Sequence, residues 1–153
     1  MVIGLLSQTI LVNFIMNDKI SIETKYYHEF SFSQADVQAF AELTGDHNPI
    51  HLDEAYAANS IFKQRIIHGH LSSSVFTRFL GMEKPGGPGS IYMKQVTEYL
   101  RPMYVDVKYQ VVFEVMEIDE IKHVAQISTQ IVNVETGKIT IKGTGTLMNT
   151  TNF

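Results

Sequence analysis

Cysteine is absent from this chain. That removes disulfides, thiolate metal sites and cysteine nucleophiles, and it fits a reducing, cytoplasmic setting. Basic runs are missing too. Sixteen Asp and Glu outnumber twelve Lys and Arg, for a net charge of −4 and a pI near 5.8, so no stripe of cations exists for a nucleic-acid partner to follow. Nor does any apolar run reach the ~20 residues that a membrane span requires. The nearest, MVIGLLSQTILVNFIM at residues 1–16, is broken by Ser7, Gln8, Thr9 and Asn13. It has no Lys or Arg ahead of it and no small-x-small cleavage pattern behind it, so a secretion signal is the weakest reading. Two others stay open for residues 1–19: an extra strand or arm, or a start assigned too early, with Met16 the initiator. The second is favoured because MNDKI opens a polar segment. Repeats, low-complexity tracts and linkers are also lacking, which leaves residues 20–153 as one domain.

What is present divides into a helical half and a β half. KYYHEFSF (25–32) alternates and is rich in aromatics, which predicts a strand. Ser33 with Asp36 three residues on predicts a capping box opening a helix. Val37, Phe40, Ala41 and Thr44 line one face of that helix, Gly45 ends it, and Pro49 keeps it from continuing. DEAYAANS (53–60) reads as a short helix. A longer one follows over Gly69 to Leu80, with Leu71, Val75, Phe79 and Leu80 as its buried stripe and Gly81 closing it. After the KPGGPG loop (84–89) the pattern turns to β: Ser90 to Leu100, Val107 to Val115, His123 to Val134 and Ile139 to Met148, joined by turns near DEIK and ETGK. Long antiparallel strands need a cover for their apolar face, and the helix from Gly69 is the candidate. The class is therefore α+β, a curved antiparallel sheet packed on a central helix.

LTGDHNPIHLD (43–53) crowds two Asp, two His, an Asn and a Pro into eleven residues. Each has an ordinary explanation in turn chemistry: Asp46 and Asn48 bond their own backbone, and Pro49 punctuates. Taken together, Asp46 and His51 flank a rigid proline, and a carboxylate and an imidazole aimed at one water make an acid/base pair. HGH (68–70) opens the central helix. Gly69 there admits close approach to backbone N–H groups that lack helical partners and can hold an oxyanion; the plain alternative makes Gly69 a flexible first residue and His68 a satisfied core group. His28 and His123 read as structural or surface residues, and His47 as exposed. Asp46, His47, His51, His68 and His70 are all metal donors, yet none of the usual helical ligand spacings occurs, so no metal is expected. GPGS (87–90) lacks the Gly-Lys-Ser/Thr end of a phosphate loop.

FAELTGDHNPIHLDEAYA (40–57), RIIHGHLSSSVFTRFLG (65–81) and GPGSIYMKQVTEYLRPMYVDVKYQVVFEV (87–115) resemble, in order and spacing, the motifs of the MaoC-like (R)-specific enoyl-CoA hydratases and dehydratases. The similarity covers about Tyr27 to Leu147. It implies a hot-dog fold, a homodimer or dimer of dimers with the acyl tunnel at a subunit interface, and no cofactor beyond the acyl-CoA or acyl-carrier-protein thioester itself. It implies syn hydration: His51 as base toward water and Asp46 as proton donor to Cα, the two roles being exchangeable. Asn48 would position the loop or the water, Gly69 N–H would bind the thioester carbonyl, and Thr77 would orient Asp46. The expected reaction is reversible hydration of a trans-2-enoyl thioester to an (R)-3-hydroxyacyl-CoA. The rivals are a hot-dog acyl-CoA thioesterase and a non-catalytic thioester-binding subunit. Two departures stand out: His70 where relatives are commonly apolar, close to the oxyanion position and able to alter acyl preference, and Val105-Asp106 in place of Gly-Asp at a turn.

Overall fold

The structure, a computed structural model, describes residues 20–153; the expectations for residues 1–19 lie outside them. Nine elements follow in order: β1 (Lys25–Phe30), α1 (Gln34–Thr44), α2 (Pro49–Leu52), α3 (Glu54–Ala58), α4 (Gly69–Met82), β2 (Ile91–Tyr99), β3 (Tyr109–Asp119), β4 (Val124–Asn133) and β5 (Ile139–Met148). The strands form one antiparallel sheet in the order β1-β3-β4-β5-β2. Its alternating apolar rows, Tyr109, Val111, Phe113 and Val115 on β3 and Ala125, Ile127 and Ile131 on β4, are buried. They meet Leu71, Val75, Phe76, Phe79 and Leu80 of α4. Phe79 approaches Phe30 at 6.4 Å and Phe76 meets Phe113 edge-on at 6.0 Å. Each buried aromatic adds roughly 1.5–3 kcal/mol from leaving water, so the sheet curls around α4 in the expected hot-dog arrangement. Among the described residues no helix is long and apolar enough to cross a membrane.

The local chemistry places α1 and its exit loop. Ser33 Oγ accepts from Asp36 N–H while the Asp36 carboxylate accepts from Ser33 N–H at 2.7 Å, closing the capping box. At the far end Gly45 adopts φ 78° and returns its N–H to the Ala41 carbonyl at 2.8 Å.

Three details differ from the sequence-based expectation, and a fourth residue, read as structural or surface, proves structural. Pro49 does more than stop α1: it is the first residue of α2, capped by Asn48, because proline lacks only an N–H that a helix start leaves unused. Gly81 does not close α4, which runs through it to Met82 with Glu83 as cap, since Gly81 needs no left-handed φ there. The strand expected from Val107 begins at Tyr109, after Asp106 turns the chain with φ 59°, and continues past a bulge between Val115 and Glu117 to Asp119. His28, on β1, gathers partners distant in sequence: it stacks on Phe79 at 4.6 Å, and its Nδ1 lies 3.0 Å from Glu83.

Candidate active site

The loop between α1 and α2 and the start of α4 meet at one place. Asp46 follows the Gly45 turn. Its Oδ1 accepts from the Asn48 N–H at 3.3 Å, and Asn48 Oδ1 in turn accepts from the Ile50 N–H at 3.2 Å. Both side chains are thereby aimed by hydrogen bonds within the loop. The short α2 then carries His51 inward, where only 9 % of it is exposed, whereas the Asp46 side chain is 53 % exposed.

His51 Nδ1 lies 2.8 Å from the Ile66 carbonyl. A carbonyl only accepts, so Nδ1 carries the proton and Nε2 is left with a lone pair, the form a general base needs. Burial holds His51 below its ordinary value of 6.5; the Ile66 carbonyl opposes this, the nearby His68 lowers it further and Asp46 raises it.

His68, the residue before α4, joins the two halves of the site. It is 2 % exposed, and its ring stacks on that of His51 with centroids 3.8 Å apart and planes 29° from parallel. Its Nε2 donates to the Asp46 backbone carbonyl at 3.0 Å and stands 3.9 Å from Asp46 Oδ2. Nδ1 of the same ring is buried without a partner. One donor atom from each of Asp46, His51 and His68 lies within 4.8 Å of the others. A metal is a poor fit to this set. Nδ1 of His51 and Nε2 of His68 are committed as N–H donors, and the lone pairs of stacked rings run side by side rather than converging. A single water, which bonds at about 2.8 Å to each neighbour, does fit between the Asp46 and His51 groups.

Gly69, first residue of α4, has an N–H with no helical partner. A β-carbon there would sit 3.1 Å from Tyr99 Cε1, so glycine is what lets the ring pass over the helix start. Gly69, Tyr99, His51 and Ser72 all line a cavity of about 300 Å³ whose other walls include Ile67, Leu100 and Met103. Asp46, His68 and His70 line an adjoining depression of about 250 Å³ on the other side of Gly69. His70 itself is exposed and meets Tyr99 edge-on at 6.1 Å.

The chain thus brings Asp46, Asn48, His51, Gly69 and His70 to one region. Thr77 is not among the partners of the Asp46 carboxylate: it is exposed on α4, eight residues and so about 12 Å along the axis from Gly69. His47 is exposed. Sequence reasoning gave no site role to three contributors. His68 carried a signal only in lying beside Gly69. Tyr99 carried none. Ser72 is buried with its Oγ unpartnered, while Ser73 and Ser74 bond back to His70 and Leu71 carbonyls; nothing local distinguishes the three serines.

Residues 17–142 match the family model described as MaoC like domain. An (R)-specific enoyl-CoA hydratase of Aeromonas caviae is 41 % identical over 100 residues, 65 % of this chain and 74 % of that protein. A protein of the same description from Rhodospirillum rubrum is 36 % identical over 119 residues, 77 % of this chain and 80 % of that one. The solved (R)-hydratase of A. caviae superimposes with a TM-score of 0.79 at 34 % identity, over 84 % of this chain and 96 % of its own. With the motifs, the fold and these likenesses in agreement, the chain belongs to the MaoC-like domain family.

Proposed function

We propose that this protein is a hydro-lyase, an (R)-specific enoyl-CoA hydratase that adds water reversibly to a trans-2-enoyl thioester using Asp46 and His51. The observation that carries the reading is a carboxylate oxygen and an imidazole nitrogen within 4.8 Å of each other, His51 lining an apolar cavity and Asp46 the depression adjoining it. In the forward direction His51 Nε2 removes a proton from the held water as its oxygen bonds to Cβ. Electron density moves to the thioester oxygen, which Gly69 N–H stabilises. Asp46 then delivers a proton to Cα on the same face, and the proton left on His51 returns to Asp46 before the next turnover. Asn48 supports this by holding the Asp46 carboxylate. The chain's own groups supply every step, so the reading requires no cofactor, and we place the enzyme in the cytoplasm.

The reading includes a homodimer. β2 is an edge strand, and Ile91, Met93 and Val96 on it are 58 %, 55 % and 52 % exposed. An edge of this kind favours a second copy continuing the sheet. A partner at that edge would also cover the exposed side of α4 that carries Thr77, the setting in which that hydroxyl would act.

The test is crotonyl-CoA with the loss of conjugated enoyl absorbance followed, and free thiol assayed separately. Absorbance loss without thiol is expected; thiol release would make the protein a thioesterase, and neither signal would leave a binder. Asp46→Asn and His51→Ala each lower kcat by about 10²–10⁴-fold in protein that still folds and melts cooperatively, and near-normal rates in either variant would remove the mechanism.

A further inference from the structure

The cavity beside His51 does not end at the reacting groups. Arg101 and Pro102, in the segment after β2, line it and also line a second depression of about 230 Å³ on their far side. This depression gathers Asn133, Thr136 and Lys138 from the β4–β5 connection and Tyr104 from the β2–β3 connection. Its charged residues are Arg101 and Lys138, both cations, and among the described residues no acidic side chain lines it. Four other cations have acidic neighbours: Lys25 has Glu114, Lys108 has Glu29, Lys122 has Asp119 and Lys142 has Glu98.

Arg101 is held by its side chain and Lys138 by the turn that carries it. Arg101 Nη1 donates to the Ile139 carbonyl at 2.6 Å, which fixes the guanidinium and leaves its remaining N–H groups to other acceptors. Lys138 sits in a turn pinned by Thr136 N–H donating to Asn133 Oδ1 at 2.9 Å and by its own N–H donating to Thr136 Oγ at 3.3 Å. With Oγ accepting there, the Thr136 hydroxyl proton is free to point outward. A planar guanidinium that bonds two oxygens at once, a point-charge ammonium and a hydroxyl make a donor set for a phosphate. Over a chain of net charge −4, an anion is repelled on average and settles only where cations are concentrated.

We propose that this depression seats a phosphate ester on the arm that carries the thioester, the group common to coenzyme A and phosphopantetheine. The proposal rests on the hydration reading for the nature of that arm. The arm leaves the reacting carbonyl at Gly69, crosses the apolar walls of Ile67, Leu100 and Met103, and presents its phosphate to Arg101 and Lys138.

Calorimetric titration of the full chain with coenzyme A, phosphopantetheine and pantetheine tests it without depending on catalysis. In Lys138→Glu and Arg101→Gln, affinity for coenzyme A falls about tenfold or more, the loss of one charge-assisted hydrogen bond. Pantetheine binds the wild type more weakly than coenzyme A and responds little to either change. Lys122→Glu, remote from the depression, controls for net charge and leaves coenzyme A affinity in place. If phosphopantetheine follows coenzyme A, the phosphate read is the one on the pantetheine arm, as proposed; if coenzyme A alone responds, the phosphate read lies at the nucleotide end and the proposal is overturned. Undetectable coenzyme A binding, equal binding by wild type and both variants, or an equal loss for pantetheine overturns it. Hydration of crotonyl-CoA measured on the same preparations separates the two ideas. A protein that binds coenzyme A through these cations but is inert toward the enoyl thioester keeps the phosphate site and loses the hydratase reading.

Discussion

Gly69→Ala puts one methyl group at the start of α4, where its β-carbon would stand 3.1, 3.3 and 3.4 Å from Tyr99 Cε1, Cδ1 and Cζ. The stability and activity effects pull apart. Alanine is favoured over glycine in a helix by up to about 1 kcal/mol, less at its first residue. The Tyr99 side chain, on a residue 47 % exposed, relieves the contact by moving a few tenths of an ångström. Net stability therefore stays within about 1 kcal/mol, which for a chain of this size keeps Tm within about 4 °C. Activity has no such relief. The methyl group and the displaced ring both occupy the approach to Gly69 N–H, and misplacing the carbonyl there costs about 10²-fold in kcat/KM. Gly81→Ala is the control, because its added carbon meets nothing within 4 Å in the same helix; Tm rises by about 2–4 °C and the rate is unchanged. Thermal melts and the enoyl absorbance assay on both variants decide the matter. Wild-type kcat/KM in Gly69→Ala would refute the oxyanion role, and a loss of rate matched by a loss of melting temperature would make the glycine merely structural.

His68→Phe keeps a flat ring against His51 but removes the donor to the Asp46 carbonyl. About 1 kcal/mol of stability is lost, and kcat falls roughly 10²-fold as Asp46 drifts, with KM much less affected; an unchanged kcat would show that the stack alone matters. Burial keeps His51 below 6.5, so the lone pair is present at neutral pH, and kcat/KM declines only as pH falls through that lowered value. The same group makes stability drop with falling pH, beginning near the unfolded value of 6.5 and levelling off beneath the folded one, because the unfolded chain binds the proton first; melts of wild type and His51→Ala between pH 5 and 8 should converge on the acid side if this holds. Val96→Asp, placed on the exposed edge strand β2, shifts the proposed dimer to monomer in sedimentation at unchanged fold, and an unaltered mass would remove this edge as the interface.

Most features whose cause lies within four residues of them were legible in the sequence. Ser33 and Asp36 open α1, Gly45 closes it, and Asn48 with Asp46 shapes the loop, because each bond joins groups that the backbone already holds together. Period-two alternation announced β3 and β4, and the 3.6-residue stripe announced α4, since burying one face requires those repeats. Even Pro49 and Gly81 were visible as residues; their roles were misjudged because a proline suits a helix start as well as a stop, and a glycine can ride inside a helix that packing stabilises.

The tertiary structure decided what depended on distance along the chain. His51 and His68 stack across seventeen positions, Tyr99 covers Gly69 from thirty positions away, and Arg101 and Lys138 come to line one depression from separate parts of the β half. No spacing rule encodes such pairs, because curling of the sheet around α4 brings them together, and that curl is set by the whole core at once. The sequence put forward Asp46 and His51 as a candidate pair; the fold supplied the His68 ring that stacks on one and bonds the backbone of the other, and the cavity beside them.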